Sequence, residues 1–518
     1  MNEQINLHSK HKTILFVLLF IGIMLRVYHF GVTPSGLNQD EAFAGYEAFS
    51  LLHYGIDSAG YHNPTYFVSW GSGMNVLESY LAIPFISLLG NTVLAVRMPM
   101  LICSILSLPV FYLLLKELYG SSTALFGLSV LVICPWHVML SRWGLESNLA
   151  PAFLLFGLYF LIKGLNDNRY WPLAACMYGL SLYAYAITWM VVPLTLLLVF
   201  SYMLICRNEF SWKYLLLSVL ILFILALPHM LFMLINMNVM PEIRTPFFSI
   251  PKLVAMRQSE ISLSNIVSRS NITRVFQLVL GYGDDMPWNT FSGFGMYYMV
   301  SIPLILIGMC RMAILGYQQI KERKMDAESV IWIGAVCSIS IITLVAPINV
   351  NKANHLHFYI IILITAGMKT VLNMLPAKKR IITVVVALVY GLSVWNFSCK
   401  YFKKYDDIIS VHFRNGVEEC IEFAQENGFK DINVDGSVYY PQILFFDETP
   451  TPEFIESRVY TNYPDCFLDV KSFTKYTFGI QYEAIDYHDA YIVPSWKLSK
   501  FPVENFSKET FGIYTILF

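Results

Sequence analysis

The chain has 518 residues, of which 56% are hydrophobic and only 14% charged, with a mean hydropathy of +0.54. Soluble domains carry roughly a quarter charged residues, so this composition excludes an ordinary soluble globular protein and predicts a polytopic α-helical membrane protein. The net charge of −1 gives no electrostatic case for nucleic acid.

The first apolar run covers about 13–30 and follows Lys10-His11-Lys12. It lacks a small-residue cleavage site and reads as a retained anchor. Further runs come at about 97–115, 121–140, 148–163, 170–186, 188–206, 213–235, 294–316, 328–346, 355–373 and 380–397. Residues 76–90 form a shorter run that carries Glu78, which predicts a surface helix rather than a span. The expectation is therefore about eleven transmembrane helices. With the N-terminus on the cytoplasmic side, the densest basic clusters, Lys321/Arg323/Lys324 and Lys378/Lys379/Arg380, both fall inside, as the positive-inside rule requires. Counting 76–90 as a span would move every later basic cluster outside.

This topology places four pieces on the outer face of the plasma membrane: loop 31–96, the turn 141–148, loop 236–293 and the tail from 398. Residues 1–397 are expected to form the transmembrane domain and 398–518 a small α/β domain outside the membrane. In the tail, 411–428 reads as an amphipathic helix ending in Gly428, and 431–435, 490–493 and 513–518 read as short strands. Of the 9 cysteines, Cys103, Cys134, Cys176 and Cys337 lie in apolar runs and read as small buried hydrophobes. Cys420 and Cys466 in the tail could pair, though no feature of the sequence demands it.

The candidate chemistry starts at Asn38-Gln39-Asp40-Glu41, an adjacent acidic pair just beyond the first span. The following residues have helical apolar spacing, so the pair opens a helix on the outer surface, where the helix dipole favours carboxylates. A helix-start charge would account for the pair if it stood alone. Arg142 and Glu146, four apart beyond the third run, would share a helix face, as an interfacial ion pair also would. Lys352, between Asn351 and Ala353 and near His355 and His357, suits a phosphate and equally an interfacial anchor. His137 reads as structural. Asp284-Asp285 sits in a Gly/Pro-rich turn, where local hydrogen bonding accounts for aspartate better than a metal does. Arg257, Arg269 and Arg274 are outward cations that could reach a lipid phosphate. The convergence of acids and bases from distant segments on one face points to transfer chemistry. An acceptor hydroxyl or amine needs a base, and a departing lipid phosphate needs a cation.

At this point the sequence resembles the protein O-mannosyltransferase and aminoarabinose-transferase superfamily, membrane glycosyltransferases of the C-type fold. The resemblance rests on Asp40-Glu41 after the first span, Ala95-Val-Arg97-Met-Pro99 opening the next, and Ser141-Arg142 followed by Glu146. It continues in Tyr183-Ala-Tyr185 with Pro193, and in Trp288-Asn289 before Gly295 and Tyr297. It covers roughly 13–400. It implies a polyprenyl-phosphate-linked sugar donor, inversion at the sugar carbon, and an acceptor glycan, lipid or protein on the outer face. Carried over, Asp40 is the base, Glu41 its neighbour and Glu146 the second-loop acid. Arg142, Lys352, Arg257, Arg269 and His355 are the candidates for the donor phosphate. Metal dependence stays open; Asp40, Glu41 and Glu146 are the oxygen ligands a divalent ion would take. Two features depart from the family pattern. Gly71-Ser-Gly-Met-Asn-Val-Leu77 stands where relatives carry a His/Lys-Pro-Pro-Leu stretch, and the second acid is Glu rather than Asp. A transporter or flippase of lipid-linked sugars and a surface-polysaccharide polymerase or ligase are the competing readings. The first would place its acids at mid-membrane, and the second calls for a catalytic Arg and His in a large late loop; neither pattern is present.

Overall fold

The computed structural model describes residues 2–255, 260–291 and 293–518. Helix α1 (Asn2–Val27) is followed by two shorter helices, α2 (Gln39–Tyr54) and α3 (Leu77–Leu89). The apolar body then takes α4 (Val93–Tyr119), α5 (Ser121–Ile133), the one-turn α6 (Pro135–Leu140), α7 (Glu146–Asn166), α8 (Trp171–Ser181), α9 (Thr188–Ile205) and α10 (Trp212–Asn236). A small hairpin, β1 (Ile243–Arg244) and β2 (Ser249–Ile250), and α11 (Arg269–Val279) fill the long loop. The body closes with α12 (Ser301–Glu322), α13 (Ala327–Thr343), the short α14 (Val350–Ala353), α15 (His357–Met374) and α16 (Lys379–Phe413).

Each predicted apolar run thus lies in or leads into a helix. By length and hydropathy, 7 helical stretches among the described residues can cross a membrane, and α3, α5 and α13 are shorter apolar helices. The structure is that of a multi-pass membrane protein, but the expected eleven crossings are not reached by this measure. At 1.5 Å per residue, the 11 residues of α8 are too short for a hydrocarbon core of about 30 Å.

The expected boundary at 397 moves. Helix α16 runs unbroken for 35 residues, about 50 Å, so it is longer than a membrane core and carries Asp406 and Phe413 beyond it, to the side where α2 and the tail lie. The tail then takes α17 (Val417–Glu426), β3 (Ile432–Val434), α18 (Tyr440–Asp447), α19 (Thr451–Ser457), β4 (Val459–Tyr460), β5 (Val470–Phe473), β6 (Tyr476–Phe478), β7 (Ala490–Pro494), β8 (Lys508–Phe511) and β9 (Tyr514–Leu517). Seven strands form one sheet in the order β4-β5-β6-β3-β7-β9-β8, with β3 parallel to both β6 and β7. The three expected strands are β3, β7 and β9, at the centre and near one edge. Their runs of buried apolar residues made them readable, whereas β4, β5, β6 and β8 are two to four residues long and each carries exposed positions. Cys420 and Cys466 are both free.

The tail does not stand apart from the membrane body. Helix α2 is buried along almost its whole length, because Tyr46, Phe49 and Ala42 share one core with Phe445, Ile443 and Val417 of the tail and with Ala82 and Ile86 of α3. The link 33–38 is stitched to the end of α16. Asp406 accepts from the Thr33 hydroxyl at 2.8 Å and the Ser35 amide at 2.9 Å, and the Leu37 amide donates to the Phe413 carbonyl at 2.7 Å. Gly36 sits at φ +79°, and a Cβ there would run into that same carbonyl. Gly36→Ala is therefore expected to lower stability by about 1–3 kcal/mol from the left-handed backbone alone, with more from the collision. A thermal melt of purified protein in detergent checks this, and an unchanged melting temperature would show that the link is not clamped.

Candidate active site

The amino ends of α2, α3 and α7 meet at one end of the helical body, and each brings carboxylates in its first turn: Asp40 and Glu41, Glu78, and Glu146. Asn38 caps α2, accepting from the Asp40 amide at 2.9 Å, while the Glu41 side chain reaches back to the Asn38 amide at 3.0 Å. This reciprocal capping box fixes both acidic residues. Adjacent helical positions point about 100° apart, so the pair divides between two environments.

Asp40 is half-buried and accepts the Trp70 indole N–H at 3.0 Å. Trp70 in turn lies against Tyr439 and Phe467 of the tail, with ring centroids at 5.5 and 5.9 Å. Glu41 is completely enclosed. Its Oε1 accepts Arg97 Nε at 2.8 Å and the Gly144 amide at 2.6 Å, and Oε2 accepts Arg97 Nη2 at 3.1 Å. Arg97 spends its remaining donors on the carbonyls of Pro34 and Gly36, at 2.7 and 2.8 Å. Both Glu41 oxygens are thus consumed, and Glu41 is placed as a structural anchor beside Asp40 rather than as a group open to substrate or metal.

Glu146 is half-buried and takes two donors from Asn75, the amide at 2.6 Å and Nδ2 at 2.9 Å. The segment 71–77, which departs from the family pattern, is therefore the bridge between α7 and the tail: Gly71 also forms a strand-like bridge with Phe467. Glu78 is the site residue that sequence reasoning passed over. It is buried, and its Oε1 lacks a hydrogen-bond partner among the described residues. A Cβ on Gly144 would collide with that oxygen, so the glycine leaves room for it. Burial first, then the charges of Glu41, Glu146 and Asp40, hold the Glu78 carboxyl well above the ordinary value of 4.5. Its signal in the sequence was one charge in the first turn of an otherwise apolar 13-residue helix, which reads equally as an interfacial charge.

The candidate phosphate-binding residues fare differently. Arg142 is fully buried, and its guanidinium donates to the carbonyls of Thr33, Leu25, Arg26 and His29 at 2.8–3.3 Å. It caps the carboxyl end of α1, so the donors expected to hold a phosphate are taken up by backbone carbonyls. Neither does it pair with Glu146. His355 is buried with Nε2 at 3.2 Å from the Ser338 carbonyl, inside the protein rather than at an exposed anion site. Lys352 is held by Glu260 at 2.9 Å and by the Pro347 carbonyl at 3.2 Å. Its segment is nevertheless tied to the start of α7, because Asn354 donates to Asn148 Oδ1 at 3.0 Å and to the Ser147 carbonyl at 3.2 Å. Arg269 is exposed at the first residue of α11, which packs on α13 and the turn Leu263–Val267. Arg257 lies outside the described residues.

Asp284 accepts from Asn289 and from the amides of Met286 and Val350, the turn role expected of it. Among the described residues, no group of three or more His, Cys, Asp or Glu is arranged to hold a metal ion. Glu41 drops out of the expected ligand set because Arg97 and Gly144 occupy it.

Residues 76–232 match the family described as dolichyl-phosphate-mannose-protein mannosyltransferase. No curated protein matches the sequence. Among solved structures, ArnT from Cupriavidus metallidurans in the apo state is similar at a TM-score of 0.54 and 11% identity, over 99% of this chain and 98% of that one. ArnT bound to undecaprenyl phosphate is similar at a TM-score of 0.54 and 9% identity, over the same shares of the two chains. The Archaeoglobus fulgidus oligosaccharyltransferase in the apo form is similar at a TM-score of 0.50 and 11% identity over 85% of this chain, which spans only 64% of that protein's length. The fold expected from the sequence, the C-type arrangement of a helical membrane body with an α/β tail, is thus the fold observed.

Proposed function

We propose that the protein is an inverting glycosyltransferase that moves a sugar from a polyprenyl-phosphate-linked donor to an acceptor on the outer face of the plasma membrane, with its N-terminus cytoplasmic and its tail domain outside. The observation that carries this reading is the meeting of Asp40, Glu78 and Glu146 at three helix starts, in a fold shared with a protein solved with undecaprenyl phosphate bound. The match to a family described by a dolichyl-phosphate-mannose donor adds a second, independent line of support.

In this reading the acceptor hydroxyl or amine attacks the anomeric carbon from the face opposite the phosphate. The new bond forms as the bond from that carbon to the phosphate oxygen breaks. The electron pair leaves with the lipid phosphate, and the acceptor proton passes to Asp40. The Trp70 indole orients the carboxylate that receives it. Asn75 holds Glu146 in place to position the acceptor. Glu78, kept protonated, offers an O–H donor rather than a third negative charge. Lys352 lies in the segment that Asn354 ties to the start of α7, and a lipid phosphate would compete with Glu260 for it. Arg257 and Arg269 are further candidates for that phosphate. Glu41 acts through Arg97 and Gly144 as a positioning residue.

Asp40→Asn in proteoliposomes supplied with a labelled polyprenyl-phosphate sugar and a membrane acceptor fraction is expected to lower transfer by roughly 10²–10⁴-fold with an unchanged melting temperature. Wild-type transfer would remove Asp40 as the base. The two buried glutamates separate by pH. A carboxyl whose folded-state value is raised binds its proton more tightly folded than unfolded, so stability is full below the ordinary value of 4.5 and drains away as pH climbs above it. Glu78→Gln should therefore flatten the fall in melting temperature from pH 5 to pH 8 and leave the neutral-pH fold intact. Glu41→Gln leaves Arg97 unpaired in the interior and is expected to cost about 3–5 kcal/mol. Equal melting curves for the two variants would contradict this division of roles.

A further inference from the structure

Behind the Trp70 wall lies a second cavity that the transfer chemistry does not use. It is a cleft of about 450 Å³ between the loop after α2, the β1–β2 region and the tail domain. The two sites share a strip of backbone. Phe467 packs on Trp70, the neighbouring Leu468 donates its amide to the Trp70 carbonyl at 2.8 Å, and Leu468 lines the cleft. The cleft therefore stands about one side-chain layer from the residue that orients Asp40.

Its lining combines ring faces with cations. Tyr460 and Tyr463 stack with centroids 6.0 Å apart, and Tyr463 is 63% exposed. Arg458 lies over Tyr460 at 5.4 Å and donates to the Ser58 carbonyl at 2.6 Å, which locks the tail to the first outer loop. Arg244 lies over Tyr61 at 4.0 Å, and Lys252 is an exposed member of the same wall. The acid in the lining, Glu242, is bound to Arg244 at 2.7 Å and to the Tyr61 hydroxyl at 2.7 Å. Three cations against one carboxylate leave the cleft positive. The carboxyls of Glu47 and Asp57 lie behind this wall, buried, and burial raises both above the ordinary carboxylate range.

Exposed aromatic faces offer flat apolar surface with a polar rim, which suits the C–H faces of sugar rings. Planar and compact cations beside them suit carboxylate or phosphate substituents. We propose that this cleft is an acceptor subsite that takes a glycan chain bearing anionic groups, away from the atom that receives the sugar. The assignment rests on the transferase reading for the word acceptor, but the binding itself does not require transfer.

The test uses the full chain in nanodiscs and two probes of matched length, trigalacturonic acid and maltotriose, followed by titration calorimetry. The acidic probe should bind more tightly than the neutral one, and its affinity should fall as salt rises. Lys252→Glu should weaken the acidic probe about tenfold, the scale of one charge-assisted hydrogen bond. Tyr463→Ala should weaken it several-fold without changing the salt dependence. Asp40→Asn should bind the probe as wild type does, so loss of the transferase reading and loss of the cleft are separate results. Equal affinity for the two probes, no saturable binding of trigalacturonic acid, or wild-type affinity in either cleft variant overturns the proposal.

Discussion

The end of the molecule that carries the candidate site depends on one enclosed ion pair. Arg97 and Glu41 are both 0% exposed, and between them they hold four separate pieces of chain: the link 34–38, the cap of α2, the top of α4 and the Gly144 turn before α7. A buried charge pair is costly unless every remaining donor and acceptor is used. Here the backbone uses them, with two carbonyls on the guanidinium and two amides on the carboxylate. The pair works less as a source of net stability than as a positioning device. Only one arrangement of the four segments satisfies all its hydrogen bonds, and that arrangement is the one that turns Asp40 toward Trp70.

The second constraint is the crowding of carboxyls. Asp40, Glu41, Glu78 and Glu146 lie close enough for the first, second and fourth to act on the third. Like charges at this density cannot all stay ionised in a partly dry site. The structure resolves the conflict by unequal support. Glu41 has a cation, Glu146 has the two Asn75 donors, Asp40 has the indole, and Glu78 has none of these among the described residues. Burial and these neighbouring charges hold the Glu78 carboxyl well above its ordinary value.

The sequence disclosed this site unevenly, for reasons that lie in individual residues. Asp40 was legible because an acidic pair beyond the first span has few bland explanations. Glu41 was not separable from it, since adjacency in sequence hides the 100° turn that sends one residue to Trp70 and the other to Arg97. Arg142 looked like a ligand because its partners, the carbonyls at the end of α1, are 109 or more residues away and carry no side-chain signature. Lys352 hid its partner in the same way: Glu260 stands 92 residues earlier. Glu78 looked like an interfacial charge because burial is set by what packs over α3. The end of α16 was misplaced because Lys400, Lys403 and Lys404 mark where a helix leaves the membrane, not where it stops.

The long exit of α16 bears on how the site is built. Because the helix continues beyond the membrane, Asp406 can hold the link 33–38 and Phe413 can anchor Leu37. The tail that follows is then set down directly on α2, where Gln442 donates to the Leu37 carbonyl at 2.7 Å and the Tyr46 hydroxyl donates to the Thr449 carbonyl at 2.8 Å. The residue that orients Asp40, Trp70, is packed by tail residues Tyr439 and Phe467 rather than by membrane helices. The tail is thus a wall of the site and not an appended domain. A chain ending with the last apolar helix would keep Asp40 and Arg97 but lose the surface that fixes the indole, and with it the contact that sets Asp40 apart from an ordinary helix-start aspartate.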